Sequence, residues 1–186
     1  MNDLEPFLKI VRAALVDNSI EHMVVGSTVV GWLGHPRSTN DIDVIVNPTP
    51  RQLSGFVSAM RAAGFYMDEE SAQEALQRRS MVNAIDPDTG WKVDLIMLDD
   101  RPFSREEFGR RTEHVSPSGT FLVQSPEDLI LSKLLWGKES ESERQFRDVV
   151  GVFDIWRSKL DVAYLRRWAD EIGVRELLEK LFDRSE

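Results

Sequence analysis

Three aspartates and one Gly-Ser pair carry the chemistry this sequence can do. Asp41 and Asp43 open the apolar run DIDVIV, although aspartate is among the residues a β-strand disfavours. Alternate residues of a strand face the same side. Asp41 and Asp43 therefore project together, opposite Ile42, Val44 and Val46. Asp94 stands in the middle of a second apolar run, WKVDLIML. Three carboxylates gathered in one place repel each other and resist desolvation. Divalent cations resolve such a cluster: Mg²⁺ takes hard oxygen ligands, one or two carboxylates together with substrate phosphates. Two such ions can align an attacking oxygen with a leaving phosphate. Gly26-Ser27 ends an earlier apolar run. At the start of a helix it offers free N–H groups to a phosphate, with Gly26 admitting close backbone approach and Ser27 adding a hydroxyl. A plainer account has Asp41 capping its loop and Asp94 pairing with Lys92 or an arginine. That account explains each aspartate separately but not the set.

The elements that must hold these residues follow from periodicity and punctuation. Leu4, Phe7, Leu8, Val11, Ala14 and Leu15 recur at helical spacing, so residues 3–17 read as an amphipathic helix. A strand over 22–25 leads into Gly26-Ser27 and a short helix over 28–33. A second strand spans 41–46. Thr49-Pro50 starts a helix that Gly64 ends. Residues 65–67 read as strand and 71–78 as helix. Residues 81–85 and 91–98 flank the turn cluster DPDTG as a hairpin. Ser104-Arg-Glu-Glu107 matches a capping box. Residues 120–123 read as one more strand. After Ser125-Pro126 the chain is helical over 126–136, 141–158, 161–171 and 174–182. The expected fold class is α+β: a mixed β-sheet flanked by helices over residues 1–124, then a helical subdomain over 125–186.

Two charged residues fall inside apolar arcs of that helical half. Lys133 lies between Leu129, Trp136 and Ile130, and Asp148 between Val152 and Ile155. Buried charges need partners. Either the two pair across their helices, or Lys133 faces a triphosphate while Asp148 orients it. Arg37, in the loop before the aspartates, is the best-placed cation for a phosphate or base. Trp32, Trp136, Trp156 and Trp168 sit at helical spacings and read as core. Trp91, at the hairpin edge, reads as core as well.

Gly-Ser, a spacer, Asp-x-Asp and a later strand aspartate resemble the nucleotidyltransferase superfamily that includes DNA polymerase β. RSTNDIDVIV, WKVDLIML and SPEDLILSKLLW are similar to the small bacterial members of toxin–antitoxin and abortive-infection systems. The likeness covers about residues 20–180, with a spacer at the long end of the pattern. It implies that Asp41, Asp43 and Asp94 hold two Mg²⁺ ions, and that Ser27, with Gly26, meets the terminal phosphates of an NTP. It implies nucleotide contacts for Lys133 and Arg37. The reaction would move a nucleoside monophosphate to the hydroxyl of an RNA end, a protein or a small molecule, releasing pyrophosphate. The rival within the fold is a non-catalytic nucleotide-binding module, or a partner in a toxin–antitoxin pair. A Ca²⁺-binding acidic domain is a third reading, disfavoured because calcium sites favour loops.

Composition narrows the rest. The chain has 186 residues, 41% hydrophobic and 30% charged, with no cysteine and three histidines. Disulfides and thiolate metal sites are excluded. Net charge is −9, and residues 1–100 hold 8 basic against 15 acidic residues. Non-specific nucleic-acid binding relies on clustered Lys and Arg, so none is expected. No apolar run approaches the roughly 20 residues of a membrane span. A cytoplasmic protein is the expectation.

Overall fold

The computed structural model describes residues 4–140 and 142–184, residue 139 by its backbone alone. The expected helix positions 3 and 141 lie outside the described residues.

The chain opens with helix α1 (Leu4–Asp17), strand β1 (His22–Val25), helix α2 (Gly26–Trp32) and strand β2 (Asp41–Val46). Helices α3 (Pro50–Ala62) and α4 (Glu69–Arg78) follow, then strands β3 (Met81–Ile85) and β4 (Lys92–Met97). Next come helix α5 (Pro102–Gly109) and the hairpin β5 (Thr112–Ser116) and β6 (Gly119–Val123). Helices α6 (Pro126–Ser140), α7 (Glu143–Trp156), α8 (Val162–Glu171) and α9 (Arg175–Asp183) complete the chain. The strands form one mixed sheet in the order β3-β4-β2-β1-β6-β5. β2 runs parallel to β4 and antiparallel to β1.

The local signals explain most of these elements. Thr49 and Gln52 close a reciprocal capping box, with Pro50 in the first turn of α3. Gly64, at φ +94°, turns the chain after α3. Ser125 Oγ accepts from Asp128 N at 3.2 Å at the start of α6.

Two expectations are corrected, and one strand was not foreseen. Residues 65–67 form no strand; Tyr66 makes a single bridge to Ile85. The hairpin's first strand, β5, carried too little apolar alternation (TEHVS) to be read as strand, and β6 holds it in register. Ser104 does not cap α5. The helix starts earlier, at Pro102, and Ser104 and Glu107 are both buried within it. Proline at the first helical turn decided the boundary over the Ser-x-x-Glu pattern.

One face of the sheet buries Ile42, Val44, Val46, Val93 and Leu95 against Phe7, Leu53, Phe56 and Val57 of α1 and α3. The same apolar cluster continues through Val29 and Val30 of α2 into Leu129, Ile130 and Leu134 of α6. Asp128 anchors this junction, accepting from Tyr164 Oη at 2.5 Å and Ser125 Oγ at 2.6 Å. The opposite face has a second, small apolar group, Met23, Val25, Leu98 and Phe108, with Ile45 and Ile96 packed on it. Asp43 and Asp94 precede Ile45 and Ile96 by two positions, so they share that face. Among the described residues no helix is long and apolar enough to cross a membrane.

Gly26 joins β1 to α2 at φ +71°, and a Cβ there would collide with the Asp43 carboxylate. The glycine serves a carboxylate of the chain itself as well as any ligand. Gly26→Ala is expected to cost about 1–3 kcal/mol from the backbone alone, plus the collision. Asp43→Ala in the same chain should return the collision and leave the backbone part. Urea melts of the four proteins check this; equal losses in both backgrounds would mean that Asp43 does not press on residue 26.

Candidate active site

The strand register assembles the aspartates. Asp43 of β2 pairs with Asp94 of parallel β4 and with Val25 of antiparallel β1, one residue before Gly26. Asp41 pairs with Lys92. A cavity of about 730 Å³ opens over this edge of the sheet. Gly26, Ser27, Arg37, Asp41, Asp43 and Lys133 all line it. Asp94 does not. It lies beside Asp43 and is only 5% exposed.

Each aspartate has a different environment. Thr39 Oγ1 donates to Asp41 Oδ1, so Asp41 does hold its own loop. Lys92 Nζ donates to Asp94 Oδ2 at 2.7 Å. The plainer contacts expected for these two residues therefore exist. They leave Asp94 Oδ1 buried without any hydrogen-bond partner, which is costly for a carboxylate oxygen. Among the described residues no cation forms an ion pair with Asp43; burial first, then Asp41 and Asp94, push its carboxyl up to about 6. Lys92 is pushed up by its hydrogen bond to Asp94.

The cationic wall faces the aspartates from α6, α7 and the loop before β2. Asp148 Oδ2 accepts from Lys133 Nζ at 2.9 Å and also from Arg37 Nη1. Lys133 donates in addition to Gln145 Oε1 at 2.7 Å. Lys133 and Asp148 are 6% and 5% exposed. The expected pair between the two helices is thus formed, and Lys133 lines the cavity while forming it. Arg37 Nε is buried without a partner. Burial first, then Arg37, push the Lys133 ammonium down to about 8. Two cations on one carboxylate, Lys133 buried and Arg37 half-buried, leave a net positive wall, and Arg144 on the cavity lining adds to it.

A further buried group was not legible as a site residue. Glu107 of α5 accepts from Gln124 Nε2 at 2.7 Å and Ser132 Oγ at 3.0 Å, and all three line the cavity. Burial pushes its carboxyl up to about 7. Its three members come from three separate elements, and the Ser-x-x-Glu pattern had pointed to a cap instead. Thr39 and Gln145 were missed for the same reason: their importance lies in what they touch. Trp136 corrects an expectation. It is 58% exposed at the cavity rim, where core was expected. Trp91 does pack, stacking on Phe7 at 5.3 Å.

The donor set suits Mg²⁺ by its chemistry. Carboxylate oxygens converge from two strands, and Asp94 Oδ1 lacks any partner. Among the described residues no three His, Cys, Asp or Glu side chains stand close enough to form a finished metal site. Lys92 holds part of that space.

Two predictions follow from these charges. Asp43 is raised above its unfolded value, so its ionisation opposes folding. The effect is absent below about pH 4, grows as pH rises, and is complete above pH 6. Asp43→Asn should therefore stabilise the metal-free protein by up to about 3 kcal/mol at pH 8 and by nothing at pH 3.5. Melts in chelator across that range check it; a gain independent of pH would contradict the assignment. Asp148→Asn should destabilise by about 3–5 kcal/mol, because it removes the anion that holds buried Lys133 and half-buried Arg37. Asp148→Leu combined with Lys133→Met and Arg37→Met should recover much of that loss.

No family model matches the sequence, and no curated protein is similar enough to count as a match. Solved structures do match. The antibiotic-resistance factor ANT(2'')-Ia superposes with a TM-score of 0.60 at 12% identity, over 100% of both chains. The lincosamide antibiotic adenylyltransferase LnuA, solved with lincomycin, gives 0.57 at 12% identity over 83% of this chain and 98% of its own. An antigenic nucleotidyltransferase-like protein from Paracoccidioides brasiliensis gives 0.57 at 14% identity over 98% of this chain and 93% of its own. At such identities the likeness is one of fold, and it agrees with what the aspartate motifs led us to expect: this chain has the fold of the nucleotidyltransferase superfamily.

Proposed function

We propose that the protein is a Mg²⁺-dependent nucleotidyltransferase that moves a nucleoside monophosphate from an NTP to an acceptor hydroxyl and releases pyrophosphate. The observation that carries this reading is the opposition of charge across one cavity. Asp41 and Asp43 line one wall with Asp94 behind them, and Arg37 and Lys133 line the other. A triphosphate with divalent cations matches both walls at once.

In this reading Asp41, Asp43 and Asp94 hold the metal ions. Bound there, Mg²⁺ supplies charge neutralisation at the phosphates and lowers the pKa of the attacking hydroxyl. Ser27 Oγ donates to a terminal phosphate oxygen, from a backbone that Gly26 keeps close. Lys133 and Arg37, both on the cavity lining, neutralise the triphosphate. Asp148 keeps both cations in place. The acceptor oxygen bonds to the α-phosphorus, the bond from that phosphorus to the bridging oxygen breaks, and the acceptor proton passes to a carboxylate that lines the cavity. Lys92 serves as the internal counter-ion of Asp94 while no ligand is bound. The helices from residue 125 onward act as the subdomain that closes the cavity.

The acceptor we favour is a small molecule. The chain is acidic overall, which disfavours a large RNA, and two structural neighbours act on or bind antibiotics by their names. A toxin–antitoxin partner, expected from the sequence resemblance, finds no support in the comparisons. The second reading is a nucleotide-binding module without turnover, favoured by the Lys92 contact to Asp94.

Incubation with each labelled NTP, Mg²⁺ and a panel of hydroxyl-bearing antibiotics tests the proposal. Transfer of label with pyrophosphate release is expected. Asp41→Asn, Asp43→Asn and Asp94→Asn should each lower it by about a hundredfold or more. NTP binding by calorimetry without transfer to any acceptor or to water would favour the module. Absence of NTP binding would reject both.

A further inference from the structure

Helix α6 orders the cavity along its own axis. Ser132, Lys133 and Trp136 sit at i, i+1 and i+4, so Ser132 and Trp136 are neighbours on one face and Lys133 lies beside them. All three line the cavity. Ser132 meets the carboxylate of Glu107. Lys133 belongs to the cationic wall. Trp136, one turn further on, shares the cavity lining with Ser142, the N-cap of α7, and with Arg144 and Gln145 of that helix.

The other four indoles of the chain are engaged. Trp32 stacks on His114 at 4.6 Å, and Trp91 stacks on Phe7. Trp156 Nε1 donates to the Leu33 carbonyl at 2.9 Å, and Trp168 packs on Phe103 at 5.4 Å. The Trp136 ring stacks on no aromatic or cation of the described residues, and its Nε1 donates no hydrogen bond to any of them. An indole left open at 58% exposure on a cavity wall exposes a large apolar face at a point where the neighbouring charge is positive.

Charge divides the cavity around Lys133. The Ser132 end carries Glu107 and the Asp99–Arg101 ion pair, whereas the Trp136 end carries Arg144. A polyanionic nucleotide is attracted to the second end. An uncharged or cationic acceptor is suited to the first. The acceptor and the departing pyrophosphate need separate space around the α-phosphorus, and this division provides it.

We propose that Trp136 is the stacking platform for the nucleobase of the NTP. The assignment rests on the nucleotidyltransferase reading above. Base–aromatic stacking uses the π-face that every base has. The platform therefore accepts all four bases, with purines held more tightly through their larger rings.

Calorimetry with Mg²⁺-ATP, Mg²⁺-CTP and inorganic tripolyphosphate, on wild type, Trp136→Ala and Trp136→Phe, tests it. Trp136 is exposed, so both variants should melt as wild type does. Trp136→Ala should weaken ATP binding at least tenfold, leave tripolyphosphate affinity unchanged and shrink the preference of ATP over CTP. Trp136→Phe should keep most of the ATP affinity. Wild-type fluorescence should be quenched by ATP and not by tripolyphosphate, and Trp136→Phe should lose that quenching. Unchanged ATP affinity in a folded Trp136→Ala protein overturns the platform while the nucleotidyltransferase reading stands. Equal weakening of ATP and tripolyphosphate overturns it too, since the ring would then act only through Lys133. A wild type that binds neither ligand overturns the function itself.

Discussion

The in-register pairing of Asp43 with Asp94 on parallel strands is the constraint to which the surrounding structure answers. Neighbouring strands lie about 4.8 Å apart, so two carboxylates on one face are held at close range by the backbone ladder itself. Rotating one away would require slipping a strand by one residue, and that would turn Val44 and Leu95 out of the core. The apolar face thus enforces the acidic one. Lys92 neutralises Asp94 from the same strand. Gly26 yields its side-chain space to Asp43. Asp43 itself is left with a raised pKa, first from burial and then from repulsion by Asp41 and Asp94.

The cationic wall is the counterpart of this strain, and it is held by a single anion. Arg37 and Lys133 both converge on Asp148 Oδ2. A fully neutralised pair would have little attraction left for a phosphate. Sharing one carboxylate between two cations, with Arg37 Nε unpartnered, keeps the wall both ordered and positive. Burial makes that arrangement costly in isolation, and a polyanion in the cavity would offset the cost. Excess negative charge at the sheet faces excess positive charge at the helices across one cavity.

Much of this site was legible because strand and helix periodicity put charges on faces. Asp41 and Asp43 share a side by the period of two, and Asp94 interrupts an apolar strand. Lys133 and Asp148 lie inside apolar helical arcs, which alone says that they must find partners. The reasons for failure were equally local. SREE has the pattern of a capping box, but Pro102 had already begun the helix. TEHVS lacks apolar alternation and becomes strand only because β6 pairs with it. Trp136 fits the apolar arc of α6 by angle, yet the folded chain leaves it 58% exposed.

What the sequence by itself determined is the identity and facing of the chemical groups: three aspartates on strands, a glycine where the chain must turn, one lysine and one aspartate on buried helical faces. These follow from rules that act within a few residues, through backbone hydrogen bonds and side-chain spacing. What only the tertiary structure decided is which group meets which. β2 lies beside β4, Arg37 reaches Asp148 across 111 positions, Glu107 meets Gln124 and Ser132, and Trp136 is left open at the rim. Those choices are made by burial of apolar surface shared among remote segments, a quantity that no short stretch of sequence contains.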